Sequence, residues 1–342
     1  MTRARSQLIS PETTPYYHTI SRCVRRAFLC GEDSLTGKNY EHRKVWVIKR
    51  LRELADVFAI DICAYAIMSN HYHLVLRINQ HKARQWDSSQ VIKQWAKLYH
   101  LPVLVTRYCR GETTSKAENA KAEEIIEIWR ERLLDISWFM RSLNEYLARR
   151  GNEEDRCTGR FWEGRFKSQA LLDEGAVLTC MSYVDLNPVR AGMAATPEES
   201  DFTSIQQRIA ELAKQRKAAS EQTPATEAKP IPLMPLISQA DDPHPNAIGF
   251  SLTDYLELVD WAGRAVREGK RGAIDKNIPP ILQRLALDPT RFIEHVEGKA
   301  ATERPVMLGK AEQIKQVARS LGRRFIKGMS EGHKLYRPPL PV

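Results

Sequence analysis

This 342-residue sequence lacks two features that would indicate a membrane or a secreted protein. No run of about 18 apolar residues, the length that a membrane-spanning helix needs, occurs in it. Its first residues, MTRARS, lack the apolar core of a secretory signal. We therefore expect a cytosolic protein that does not interact with a membrane.

The cysteines also exclude a class of structure. There are six, and they form neither a C-x-x-C pair nor a regularly spaced framework. This pattern argues against a structural zinc site and against a disulfide scaffold. We interpret the cysteines as reduced thiols, several of them in the core. The formal net charge of +10 fits a polyanionic partner, although basicity alone does not identify one.

A predicted β-hairpin over residues 60–78 places two imidazoles close together. Apolar segments flank the turn residues Ser69 and Asn70, and alternation is typical of the second strand, HYHLVLRI. His71 and His73 therefore point to the same face. Two neutral imidazoles at this spacing can bind one divalent ion if another element supplies a third ligand. The alternative is an ordinary half-exposed polar face.

A second group of candidate residues lies on a helix predicted from about residue 173, with Pro188 and Gly192 as its terminators. Tyr183 and Asn187 are four residues apart and therefore share a helix face. The phenol could attack phosphorus, and the amide could complete a His-His-Asn metal site. Together these groups could cut DNA through a covalent phosphotyrosine.

Four segments of the chain resemble the REP-associated tyrosine transposases, which belong to the HUH superfamily of single-strand DNA transposases. They occur in family order within about residues 15–195 and read YHTISR at 17–22, YAIMSNHYHLV at 65–75, GRFWEGRFKS at 159–168 and YVDLNPVRAG at 183–192.

The resemblance implies a transposase or endonuclease that recognises DNA hairpins and cleaves and rejoins strands. In it, Tyr183 is the nucleophile and forms a 5′-phosphotyrosine, while His71, His73 and Asn187 hold Mg²⁺ or Mn²⁺. The implied partner is single-stranded or hairpin DNA, with no small-molecule substrate, and the protein is expected to be a monomer or homodimer associated with the nucleoid. The alternative is a domesticated DNA-binding protein without cleavage activity. The intact set of four site residues favours the enzyme.

Cationic residues accompany aromatic ones in the segment 160–172, which we predict to be the last strand of the sheet. Charges can follow phosphates while aromatic faces accept unstacked bases. An amphipathic edge strand is the alternative, and the resemblance favours DNA. The predicted DNA-binding residues are Arg22, Arg25, Arg26, Arg160, Arg165 and Lys167.

Tyr146 is a competing candidate nucleophile. It lies on an amphipathic helix predicted over 135–150. Four residues beyond it stands Arg150, which supplies neither an amide nor a carboxylate. Tyr183 is therefore preferred.

The order of predicted elements indicates the fold class. A strand begins at 16, helices cover 40–58, 85–99 and 135–150, and the hairpin and the strand 160–172 complete the set. This predicts an α+β fold, with an antiparallel sheet and helices packed on one face. The resemblance to the transposases implies that the sheet is ferredoxin-like, which agrees with this order.

The sequence also suggests a domain organisation. We expect a flexible arm at 1–14 and a catalytic domain at 15–200, with a helical insertion at 100–134. A helix and linker over 201–250 would then lead to a basic helical module at 251–342.

Overall fold

The structure is a computed structural model that describes residues 8–24, 29–32, 37–218, 230–237, 246–268, 278–300 and 304–336. Arg25 and Arg26, two of the predicted DNA-binding residues, lie outside these ranges. The strands are β1 Tyr16–Arg22, β2 Ile60–Ile67, β3 His71–Ile78, β4 Lys167–Leu171 and β5 Met307–Leu308.

The sheet has the strand order β2-β3-β1-β4-β5. Neighbours among the first four strands are antiparallel, and β5 joins β4 in parallel orientation. Strands β1 and β2 therefore run in the same direction with β3 between them, which is the split β-α-β arrangement of ferredoxin-like folds. The predicted α+β class is confirmed.

Helices make up most of the remaining described residues, and none of those within the described ranges is long and apolar enough to span a bilayer. In chain order they are α1 His42–Val57, α2 Gln80–Arg84, α3 Ser88–Ala96, α4 Val103–Cys109, α5 Lys116–Leu133, α6 Ile136–Glu154, α7 Glu174–Asp185, α8 Asn187–Arg190, α9 Ser204–Ala218, α10 Leu252–Glu268, α11 Pro280–Arg284, α12 Pro289–Val296, α13 Ala311–Ser320 and α14 Met329–Leu335.

Three predicted elements differ from those observed. The helix predicted from about residue 173, with Pro188 and Gly192 as terminators, ends at Asp185, and Pro188 lies within the separate helix α8. The helix expected over 85–99 is interrupted before α3, because Asp87 is extended and its carboxylate accepts a hydrogen bond from Gln90 N–H at the start of that helix. The strand expected over 160–172 begins only at Lys167. Residues 160–166 instead form bends, with a bridge from Trp162 to Cys23.

Helices cover both faces of the sheet, which corrects the expectation of one covered face. Helices α1 and α6 pack on the face that carries Tyr72, Leu74 and Leu76 of β3. The opposite face, with Val75 and the small residues of β2, is covered by α7 and α9. Because both faces bear apolar side chains, each needs a helical layer to exclude water.

Helix α7 is held at both ends by residues from the second half of the chain. At its start, the carboxylate of Asp173 accepts hydrogen bonds from Lys310 N–H (2.8 Å) and from the Tyr336 hydroxyl. At its end, the buried carboxylate of Asp185 accepts hydrogen bonds from Ile205 N–H (3.0 Å) and the Tyr255 hydroxyl (2.5 Å). These contacts fix the helix that carries Tyr183.

Candidate active site

Three imidazoles lie together on the face of the sheet that α7 covers. His71 and His73 project from the same side of β3, as their spacing predicts, with ring centroids 4.8 Å apart. His18 of the neighbouring strand β1 joins them, and its Nε2 lies 2.9 Å from His73 Nδ1. His18 belongs to the segment YHTISR and was not predicted as a site residue.

Helix α7 brings the predicted nucleophile to these imidazoles. The Tyr183 ring meets the His73 ring edge-on, with centroids 5.5 Å apart, and the His18 ring at 6.1 Å. Asp173 caps the start of the helix by accepting a hydrogen bond from Ala176 N–H. The structure thus unites residues that are more than 100 positions apart in sequence.

Two guanidinium groups lie against the tyrosine. Arg190, on the short helix α8, donates hydrogen bonds to the Tyr183 hydroxyl (3.1 Å) and to Asn187 Oδ1 (2.8 Å). Arg304, just before β5, lies 4.5 Å from the Tyr183 ring centroid, and its Nη1 lies 2.5 Å from His18 Nδ1. Neither arginine was predicted as a site residue.

His71, His73, Tyr183 and Arg304 line a cleft of about 390 Å³. Its lining contains most of the predicted site residues that the structure describes, together with Arg304 and the acidic residue Glu163. The predicted residues in the lining are Arg22, His71, His73, Arg165, Lys167 and Tyr183. Asn187 and Arg160 do not line this cleft; Asn187 is buried beneath it against Arg190, and Arg160 is exposed elsewhere.

The environment favours neutral imidazoles. Burial lowers the pKa of His18 and His73 well below the ordinary value of 6.5, and the nearby Arg304 guanidinium acts in the same direction on both. Burial lowers the pKa of His71 to about 4, with Arg22, Arg190 and Arg304 adding to the effect. Desolvation penalises the charged form, so all three rings remain uncharged at neutral pH.

The groups present, as they are arranged, do not fit a divalent cation. The Asn187 oxygen is engaged by Arg190, and its buried amide nitrogen has no hydrogen-bond partner among the described residues. Rotating the amide would not free the oxygen for a metal, because a guanidinium offers no acceptor. Within the described ranges, no group of three or more His, Cys, Asp and Glu side chains is placed to hold a metal ion.

Tyr146 lies away from the imidazoles. It projects from α6 into a groove on the opposite face of the sheet, beside Trp138 and Tyr99. Its hydroxyl accepts a hydrogen bond from Arg150 (2.7 Å). The geometry therefore favours Tyr183 over Tyr146 as the residue that shares a cleft with His71 and His73.

Three residues of the site were not predicted, and the local sequence indicates them to different degrees. His18 stands in YHTISR, where strand alternation opposite Tyr17 places it on the imidazole face. Arg190 stands in YVDLNPVRAG, three residues after Asn187. Arg304 lies outside every motif and has no local signal.

Comparison with known proteins gives little further information. No family model and no curated protein matches the chain. A solved structure of a REP-associated tyrosine transposase bound to a REP hairpin is similar over 70% of this chain and 100% of that chain, with 13% sequence identity and a TM-score of 0.34. Similarity at this level does not assign an activity or a fold to the chain.

Proposed function

We propose that the protein is a single-strand DNA endonuclease and strand transferase that binds DNA hairpins and cuts through a 5′-phosphotyrosine on Tyr183. The observation that carries this proposal is the shared cleft, in which the half-buried phenol stands beside imidazoles and exposed cationic side chains. A phosphodiester that follows Arg22, Arg165 and Lys167 would reach the Tyr183 hydroxyl.

The proposed reaction exchanges one phosphate ester for another. The Tyr183 oxygen attacks phosphorus, the bond from phosphorus to the 3′ oxygen breaks, and the released 3′ hydroxyl takes up a proton as the phenol loses one. The 5′ phosphate remains on the tyrosine. Because ester energy is conserved, a different 3′ hydroxyl can attack the phosphotyrosine and rejoin the strand without a nucleotide cofactor.

The cationic side chains can stabilise negative charge on both the nucleophile and the phosphate. The hydrogen bond from Arg190 to the Tyr183 hydroxyl stabilises negative charge that develops on the oxygen when its proton leaves. It also fixes the direction of the oxygen relative to the cleft. A planar guanidinium such as that of Arg304 can donate two hydrogen bonds to a phosphate, which suits the transition state.

The requirement for Mg²⁺ or Mn²⁺ stays a prediction from the sequence. The steps above use only the side chains of this chain, because Asn187 is engaged by Arg190. Titration of activity with each metal tests this expectation separately from the identity of the nucleophile.

Incubation with single-stranded hairpin DNA tests the proposal. The DNA should be labelled on the 3′ side of the candidate cleavage sites, since that fragment stays attached to the protein. We expect a labelled band at the mass of the protein that survives denaturing electrophoresis and is absent for Tyr183→Phe, which keeps the ring. Tyr146→Phe is the matched control and should retain the adduct. A wild-type protein that binds the hairpin without any adduct, in Mg²⁺ or Mn²⁺, would instead indicate a DNA-binding protein that does not cut.

A further inference from the structure

A groove of about 850 Å³ lies on the helical layer of α1, α3 and α6, away from the cleft that holds Tyr183. Helix α6 lines it from Trp138 to Glu153, a span of about 22 Å at about 1.5 Å per residue. The remaining lining comes from Arg50 of α1, Trp95 of α3 and residues just after α3. We call it the arginine-aromatic groove. No described residue lines both this groove and the cleft, so the two are separate.

Two half-buried rings line the arginine-aromatic groove in fixed orientations. The rings of Tyr99 and Trp138 are nearly perpendicular, at 87°, with centroids 6.1 Å apart. The Tyr99 hydroxyl shares a hydrogen bond with the Ser142 hydroxyl (2.5 Å), and the Trp138 ring lies against the buried ring of Trp95, with centroids 5.8 Å apart. Because both rings are held before a ligand arrives, stacking on them costs little conformational entropy.

The lining of the groove is positively charged. It contains four arginines and two glutamates. Arg141 and Arg149 both contact the carboxylate of Glu145, which can neutralise only one of the two charges. Arg150 has no carboxylate partner among the described residues and instead contacts two aromatic side chains. The side chains of Arg141 and Arg149 are 64% and 79% exposed, so both can reach an anion in the groove.

Guanidinium groups also lie against one of the rings. Those of Arg132 and Arg141 lie 4.5 Å and 5.1 Å from the centroid of the Trp138 ring. Arg50 pairs with Glu53, whereas Arg132 has no carboxylate partner within the described ranges. A guanidinium plane can stack on a base, as an aromatic ring does, and can also donate hydrogen bonds to phosphate. The groove therefore combines planar surfaces with positive charge that the protein does not neutralise.

We propose that the arginine-aromatic groove is a second DNA-binding site, which holds a single strand with its bases on Tyr99 and Trp138 and its phosphates on Arg141 and Arg149. A single strand supplies both unstacked base faces and negative charge. An acidic peptide would supply only the charge, and a duplex keeps its base faces stacked. The choice of DNA over RNA rests on the proposed function, whereas binding of a single strand rests on the groove alone.

The position of the groove adds to what the protein can do with DNA. The groove and the cleft lie on opposite sides of the sheet, so a strand in one does not block the other. Strand transfer brings together two segments of DNA, of which one is attached to the tyrosine. A second site would allow the protein to retain another single-stranded segment during the reaction.

Photocrosslinking of the full-length protein locates a bound strand directly. A short oligothymidylate that carries 5-bromodeoxyuridine is irradiated with the wild-type protein, and the crosslinked peptides are sequenced by mass spectrometry. We expect crosslinks at Trp138 and Tyr99. Crosslinks confined to the peptides of the cleft, or no crosslink at either of these two residues, would overturn the proposal without the need for any variant.

Substitutions then test the stacking and the charge. Half-maximal crosslinking at Tyr99 should require about tenfold more oligonucleotide for Trp138→Leu, because one stacking surface is lost. Trp86→Leu, at another half-buried tryptophan that does not line the groove, is the matched control and should behave as the wild type does. Equal requirements for the wild type and a folded Trp138→Leu would contradict the proposal.

The two exposed arginines provide a variant that is expected to fold. For Arg141→Gln combined with Arg149→Gln, the log of the affinity measured at Tyr99 should fall less steeply with log salt, by about 0.7 for each lost phosphate contact. An unchanged slope would contradict the role of these arginines.

Competitors separate the possible occupants of the groove. Unlabelled oligothymidylate should protect Tyr99 from crosslinking at lower concentration than polyglutamate or oligouridylate of equal length. Better protection by polyglutamate would indicate an acidic protein partner, better protection by oligouridylate would indicate RNA, and either result would overturn the proposal.

These measurements do not depend on DNA cleavage. If the groove is crosslinked but no adduct forms on Tyr183, the second site stands and the proposed function fails. If the adduct forms and the groove is never crosslinked, the proposed function stands and the second site fails.

Discussion

The part of the chain before residue 200 and the part after it contribute to the site in different ways. The first part contains every motif and supplies the imidazoles and the tyrosine. The second part contains no recognised motif, yet it provides Arg304 and packs closely around α7. Motifs identify residues that could perform the chemistry, whereas the charges and hydrogen bonds around them come from elements far away in sequence.

The contact between the two parts is close at Gly298, just after α12. Its backbone has a φ of +73°, which favours glycine, and a Cβ there would lie 3.0 Å from Arg190 Nη1. The Arg190 Nη1 also donates to the Glu297 carbonyl at 3.5 Å. The second part therefore contacts Arg190 directly, and its removal would take away one hydrogen-bond acceptor of that side chain.

Removing the second part should have the largest effect. A fragment of residues 1–200 lacks many side chains that are fully buried against α7 and β2, including Ile205, Tyr255, Leu258 and Phe292. Burial of each stabilises by about 1.5–3 kcal/mol, so these four alone account for about 6–12 kcal/mol, which is comparable with the roughly 5–15 kcal/mol that stabilises a typical domain. We expect this fragment to give no cooperative thermal transition by circular dichroism, in contrast to the full chain. A folded fragment that binds hairpin DNA with unchanged affinity would show that the two parts are independent.

Asp185 tests a single connection between the two parts. Burial raises its pKa to about 6 from 3.8, although hydrogen bonds from Ser204 and Tyr255 oppose the rise. The folded state therefore binds a proton more tightly than the unfolded state, and stability is lost as pH rises from about 4 through 6. The size is about 3 kcal/mol at full ionisation.

Asp185→Asn should remove that dependence on pH. Urea unfolding between pH 4 and 7 should show the wild type losing its advantage over the variant as pH rises. Other buried groups, such as the histidines, titrate equally in both proteins and cancel in the difference. A stability difference that stays constant across this range would contradict the raised pKa of Asp185.

The cationic residues of the cleft should have the smallest effects. Lys167→Ala removes an exposed charge at the cleft, so log affinity for single-stranded hairpin DNA should fall less steeply with log salt, by about 0.7 for each phosphate that is no longer neutralised. Arg160→Ala, at an exposed residue outside the cleft, is the matched control, and we expect a smaller change. Equal slopes for the wild type and Lys167→Ala would place the DNA elsewhere.

Local patterns were sufficient to predict the parts of the site that lie within one element. The i, i+2 spacing on β3 predicted that His71 and His73 share a face. The single helix predicted to carry both Tyr183 and Asn187 is wrong, because α7 ends at Asp185 and Asn187 begins α8. The α+β class followed from the alternation of periods. The same alternation predicted the four antiparallel strands.

Contacts between elements that lie far apart in sequence could not be predicted from local patterns. Nothing local to Arg304 indicates that β5 joins the sheet beside β4, because a two-residue strand has no measurable alternation. The engagement of the Asn187 oxygen by Arg190 depends on the turn between α7 and α8. The covering of the second face of the sheet depends on where α7 and α9 pack, which the residue spacing within each helix does not specify.

Mapping the DNA-linked residue tests the central claim most directly. After incubation with hairpin DNA, the adduct is digested with nuclease and trypsin, and the modified peptide is sequenced by mass spectrometry. We predict a nucleotide attached through its 5′ phosphate to Tyr183, with no modification of Tyr146. Attachment at Tyr146 or any other residue, or a 3′ phosphate linkage, would contradict the assignment of the cleft between His71, His73 and Tyr183 as the active site.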